Sequence, residues 1–162
     1  MRIALLLLLL PQFLFAQRRV SELPDILRES SGLAHASKST LYTINDSGNK
    51  PILYEINMEG KIVAEINLKD FDVENEDIES LAEDLLYLYV ADFGNNTNRR
   101  KDLTIYKISK AQLRRGWGKA QEIHFVPAEQ KKFPPEPEDL QFDFEGFFAT
   151  STELVIFSKN RA

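Results

Sequence analysis

The sequence has no cysteine and two histidines in 162 residues. Without Cys there is no disulfide framework and no thiolate site for zinc or an iron–sulfur cluster. His35 and His124 are far apart in the chain and give no metal-ligand spacing. Basic residues are in the minority, 20 Lys+Arg against 25 Asp+Glu, for a formal net charge of −5. That balance excludes a generic nucleic-acid binder, which needs a basic stripe. Phosphate-cradling glycine loops are missing, as are His-Glu-x-x-His and Gly-x-Ser-x-Gly, so Ser30, Ser31 and Ser47 sit in no nucleophile elbow. What remains, 43% hydrophobic and 28% charged, is the composition of a folded domain and not of a disordered chain. At this length one domain is expected.

Long apolar runs are also scarce, with one exception. Arg2 precedes Ile3 to Leu10, all apolar, and after Pro11 and Gln12 the run resumes from Phe13 to Ala16. This core has the length of a signal-peptide h-region and is too short for a membrane helix of ~20 residues. Residues 1–16 therefore read as a signal peptide with Ala16 at position −1, the alternative being a buried N-terminal helix. No Cys follows for lipid attachment. The expected product is exported, periplasmic or extracellular, acidic, and without a membrane span once the segment is removed.

The rest is punctuated by Gly and Pro into short β-forming runs. These are Thr40 to Ile44, Ile52 to Ile56, Ile62 to Leu68, Leu86 to Val90, Leu103 to Ile108, Glu122 to Val126 and Leu154 to Phe157. Met58 to Lys61 reads as a hairpin turn with Gly60 at positive φ. Ser109 to Arg115 is the one helical stretch, with Ser109 as N-cap. The prolines at 134, 135 and 137 mark a loop of polyproline character. Three segments superimpose: Glu29 to Ala34 with Asn45 to Gly48, Asp77 to Ala82 with Ala91 to Gly94, and Asp143 to Phe148 with Ser158 to Arg161. Each opens on a small-residue strand and continues by a hairpin into a more apolar one. The fold class is all-β, and the repeat predicts a partial β-propeller of about two and a half four-stranded blades over residues 17–162.

The same residues resemble an uncharacterised family of exported bacterial β-propeller proteins of the Bacteroidetes type. The likeness runs through Glu29 to Leu33, Asn45 to Gly48, Asp77 to Ala82, Ala91 to Asn96, Leu103 to Ile108 and Asp143 to Gly146. Ile78 stands where that family has Trp, and Ser80 where it has Asp. The resemblance implies about six blades, of which this chain would be the N-terminal half. The chain is then expected to be part of a longer propeller, a truncated product, or half of a dimeric ring, with Arg18 to Leu23 as the strand that closes the circle. A more distant similarity, to phytase-like and gluconolactonase-like propellers, implies a divalent cation at the channel mouth.

The candidate site is acidic. Asp77 with Glu79, and Asp143 with Glu145, lie two apart on strands, which predicts a shared face for each pair. With Asp46 and Asp92, and with Asn45, Asn95 and Asn96 from the turns, they offer oxygen donors suited to Ca2+ or Mg2+. The alternative is that these acids cap turns and bond backbone N–H groups. Arg99 and Arg100 follow the Asn-rich turn, where they would solvate it or bind an anion. Trp117 reads as a loop anchor or a stacking surface. Two functions stay open. One is a non-catalytic binder of a protein, glycan or small molecule at the channel face, with any cation structural. The other is a Ca2+-dependent hydrolase of the phytase-like or lactonase-like kind.

Overall fold

A computed structural model describes residues 19–162. The signal segment and Arg18 lie outside the described residues. Ten strands form three antiparallel sheets. The first contains β1 (Ser30–His35), β2 (Thr40–Asn45), β3 (Ile52–Asn57) and β4 (Ile62–Asn67) in sequential order. The second contains β5 (Ile78–Glu83), β6 (Tyr87–Asp92), β7 (Leu103–Ser109) and β8 (Gln121–Phe125), again in order. The third pairs β9 (Asp143–Ala149) with β10 (Leu154–Lys159). The first strands of the sheets are neighbours, β1 against β5 and β5 against β9. Among the described residues the sheets do not close into a barrel.

Local chemistry explains the elements. Gly60 turns β3 into β4 at φ 78°, a conformation that costs glycine little. The helix α1 (Lys110–Arg115) is fixed by a capping box in which Ser109 and Gln112 satisfy each other's backbone N–H. Gly116 stops it at φ 84°. The proline loop contains a 3-10 turn at Pro137–Asp139, entered from Glu136 in an extended conformation. Residues 19–23 form no strand, so the expected closing strand is not seen in its described part. That stretch passes beside the β3–β4 turn, where a Cβ on Gly60 would lie 2.2 Å from the Glu22 carbonyl.

Two cores hold the sheets face to face. Ala34, Tyr42, Ile44 and Leu53 of the first sheet pack with Leu81, Leu88, Val90 and Ile108 of the second. Ala82, Tyr89, Ala91, Phe93 and Ile105 of the second pack with Phe144, Phe147 and Ile156 of the third. The strands β1 and β5 approach closely: a Cβ on Gly32 would lie 2.6 Å from the Leu81 amide nitrogen, so only glycine fits. No helix among the described residues is long and apolar enough to cross a membrane.

Candidate functional site

The ladders carry a feature that the sequence pattern hides. Ser30 pairs with Asn45 and Gly32 with Ile44, which leaves Ser31 as an extra residue. In the second sheet Ile78 pairs with Asp92 and Ser80 with Ala91, leaving Glu79. In the third, Phe144 pairs with Ser158 and Gly146 with Phe157, leaving Glu145. One β-bulge therefore recurs at the same place in three adjacent strands. A bulge interrupts the two-residue alternation and re-aims its side chain. Each pair nonetheless stays together: Arg161 reaches both Asp143 and Glu145, and Asp77 is the first charge felt by Glu79, although the bulge and not simple alternation sets the geometry. The registers also align Asn45 with Asp92 and Ser158, one residue from the superposition the motifs suggest for the second segment.

Each acid has a distinct situation. Asp92 is buried and accepts the backbone N–H groups of Glu76 at 3.2 Å and Asp77 at 2.9 Å. It also accepts from Arg100 Nη1 at 2.7 Å. Asp143 is fully buried, accepting from the Asn95 N–H at 2.8 Å and from Arg161 Nε at 2.6 Å. Glu145 accepts from Lys159 Nζ at 3.1 Å and Arg161 Nη2 at 3.0 Å. These three carboxylates are thus already matched by cations. Arg100 is spent on Asp92, on Asp102 at 3.2 Å and on the Gly94 carbonyl at 3.1 Å, which leaves little of it for an exogenous anion.

Asp77, Asp46 and Glu79 differ. Burial raises the Asp77 carboxyl above its ordinary range, against a hydrogen bond from Ser47 that lowers it. Asp46 is raised by burial and then by the neighbouring Glu29 charge. Glu79 is pushed up to about 7, first by burial and then by the charges of Asp77, Glu145, Asp143 and Asp46. No hydrogen bond or ion pair reaches its carboxylate among the described residues. Beside it in the row, the Ser31 hydroxyl donates to the Ile78 carbonyl at 2.9 Å. Ser47, Glu76, Asp77, Gly94, Asn95, Asn96, Thr97 and Arg100 line an open cavity of about 320 Å³.

The six predicted acids thus gather around the leading ends of β5 and β9, but not as one shell of ligands. Among the described residues no three Asp, Glu or His side chains are grouped closely enough to hold a metal ion. Asn45 and Asn95 are structural here: Asn45 Nδ2 donates to the Ile26 carbonyl at 2.7 Å, and Asn95 Nδ2 to that of Phe142 at 3.0 Å. Trp117 is exposed, with the Arg115 guanidinium 4.1 Å from its ring centroid, and anchors no loop core. Sequence reasoning missed Ser31 and Arg161. A bulge has no composition signature, and the ion pair from Arg161 to Asp143 joins residues that nothing in local spacing connects. No protein-family model matches the chain, and no curated protein matches it in sequence.

Proposed function

We propose that the three sheets are successive blades of a β-propeller, two complete and one half-built in the described residues. The shared strand order, register and bulge support this, as does the contact of each first strand with the next. We read the chain as an exported binding protein, with no catalytic role, whose bulge-lined face takes a ligand's cationic group. One observation carries the reading: Glu79 is a carboxylate with no ion-pair or hydrogen-bond partner among the described residues, set among other acids of which Asp92, Asp143 and Glu145 already own their cations. An arrangement with so few free carboxylates suits weak Ca2+ binding of the extracellular kind, roughly 10⁻⁴–10⁻³ M, completed by amide, backbone and water oxygens.

A hydrolase would need several converging carboxylates with one coordination position open. Arg100 and Arg161 take up Asp92 and Asp143, which favours binding over hydrolysis. Thermal melts with millimolar Ca2+, with EDTA, and with Glu79→Gln test this directly. A ligand bound only by the folded state raises Tm. Ca2+ is expected to raise it, EDTA to reverse the rise, and Glu79→Gln to abolish it. An unchanged Tm in every arm removes the cation reading, and turnover of a phosphate ester or lactone in the Ca2+ arm would replace binding by hydrolysis.

A further inference from the structure

The second sheet has a neighbour on each side, β1 against β5 and β5 against β9. Its β5–β6 hairpin nevertheless presents two adjacent leucines to water. Leu85 is 89% exposed and Leu86 61%. Neither side chain is needed to form the turn, because Asp84 already forms it. Its Oδ1 accepts from the N–H groups of Leu86 and Tyr87, each at 2.7 Å, and its Oδ2 from the Tyr89 hydroxyl at 2.7 Å. The Asp84 N–H donates to the Tyr87 carbonyl at 3.0 Å, and the Leu86 carbonyl accepts from the Lys110 N–H at 2.8 Å. Both backbone groups of Leu86 are thus bonded within the chain. This residue can leave water without stranding a donor or an acceptor.

The surroundings are basic, in a chain that is acidic overall. The helix α1 starts beside the hairpin, and Leu85, Leu86, Lys110, Ala111 and Arg114 help line an open cavity of about 210 Å³. Lys110 pairs with Glu83. Arg114 and Arg115 are exposed and have no carboxylate partner among the described residues. The Arg115 guanidinium lies instead over Trp117, which is 60% exposed and follows the Gly116 that ends α1. A helix of six residues spans only about 9 Å, so the leucines at its start and the indole beyond its end belong to one patch.

The unpaired acids lie elsewhere. Along β5 the bulge at Glu79 is at one end, and the two leucines follow the other. The second sheet therefore carries an acidic end and an apolar, basic end.

We propose that the Leu85–Leu86 turn and α1 form a peripheral attachment site for an anionic phospholipid bilayer, lying on that surface without spanning it. The leucines enter the acyl boundary, the indole sits at headgroup level and the arginines meet lipid phosphates. Charge selects the orientation. An anionic surface attracts this end and repels the end with Glu79, so the bulge-lined face is turned away from the lipid and stays open. The attachment is independent of what that face binds.

Trp117 is the only tryptophan in the sequence, so its fluorescence reports on this patch alone. The whole chain, as processed by a secreting host, is titrated with vesicles of phosphatidylcholine and phosphatidylglycerol. Emission is expected to shift to the blue, and brominated acyl chains to quench it. Leu85→Asp should weaken binding at least ~10-fold by removing apolar area from the contact. The paired substitutions Arg114→Glu and Arg115→Glu should do the same, as should vesicles of phosphatidylcholine alone. These positions are exposed, and circular dichroism confirms that each variant remains folded. Glu79→Gln should bind as the wild type does. An emission that anionic vesicles leave unchanged overturns the proposal. So does undiminished binding by Leu85→Asp, which would be adsorption by charge alone, or quenching that EDTA abolishes, which would be a cation bridge from the acidic end. Self-association without lipid, seen by sedimentation equilibrium and removed by Leu85→Asp, would assign the patch to a second copy of the chain and overturn it as well.

Discussion

The first junction is packed mainly by aliphatic side chains around Leu81 and Val90, the second mainly by aromatic rings around Phe93. Where β1 meets β5, Leu81 approaches the backbone of Gly32 so nearly that no side chain fits between. At the second junction the position equivalent to Gly32 is Ser80 of β5, which carries a side chain. The second junction fills its space with rings instead. Phe93 is fully buried, 5.5 Å from Phe147, 6.0 Å from Phe144 and 6.5 Å from Phe125 between centroids, in tilted and edge-on arrangements. The same backbone scheme is thus stabilised in two ways. Branched aliphatics fill the first junction, and edge-on aromatic rings fill the second.

The sharpest way to break this contrast is Phe93→Ala. Removing a fully buried ring and leaving a cavity costs about 3–5 kcal/mol. Hydrogen exchange should show β9 and β10 losing protection while β1 to β4 keep theirs. Uniform loss over all ten strands would mean that the two junctions are one cooperative unit.

Next in size is the glycine pair. Gly32→Ala drives a methyl group into the Leu81 backbone and should cost about 1–3 kcal/mol in urea melts, as overpacking does. Gly146→Ala meets open space and should change stability by less than about 0.5 kcal/mol. Equal costs at the two positions would erase the distinction between a crowded and an uncrowded first strand.

The third test concerns Glu79. Its carboxyl titrates near 7 in the folded chain and, at its ordinary value, near 4.5 when unfolded. Between those values the folded state holds a proton that the unfolded state has lost, and above 7 ionisation penalises folding in full. Stability from this group therefore rises as pH falls from about 8 to 5. The Tm of Glu79→Gln should lack that increment, and parallel pH profiles for the two proteins would mean that the acids around Glu79 exert no net repulsion.

Much of the architecture was legible in the residues, for a physical reason. Alternating β-branched and aromatic runs cut by Gly, Asp and Asn mark seven strands to within two residues at either end, and the small-residue runs mark the three first strands as well. Ser109 announced its helix because an N-cap is local in sequence; the structure adds Gln112 as the other half of a capping box. The site was read less well. The pairs Asp77–Glu79 and Asp143–Glu145 do sit together, but the bulge that sets their geometry leaves no trace in the sequence pattern. Asp92 and Asp143 looked like metal ligands because acids in turns carry no mark of the arginine that will reach them. Arg100 is eight residues from its partner and Arg161 eighteen, and only the fold brings them together. The alternative weighed for the acids, bonding to backbone N–H groups, is what Asp92 and Asp143 do.

The repeated bulge has one more consequence. A residue that opposes no partner in the ladder is not chosen by strand pairing. The three seats already hold a hydroxyl and two carboxylates, in Ser31, Glu79 and Glu145, on the same backbone plan. Substitution there can alter what the row attracts while the sheets stay as they are. Under the binding role proposed above, ligand preference would drift through a handful of exchangeable positions and leave the scaffold's inheritance untouched.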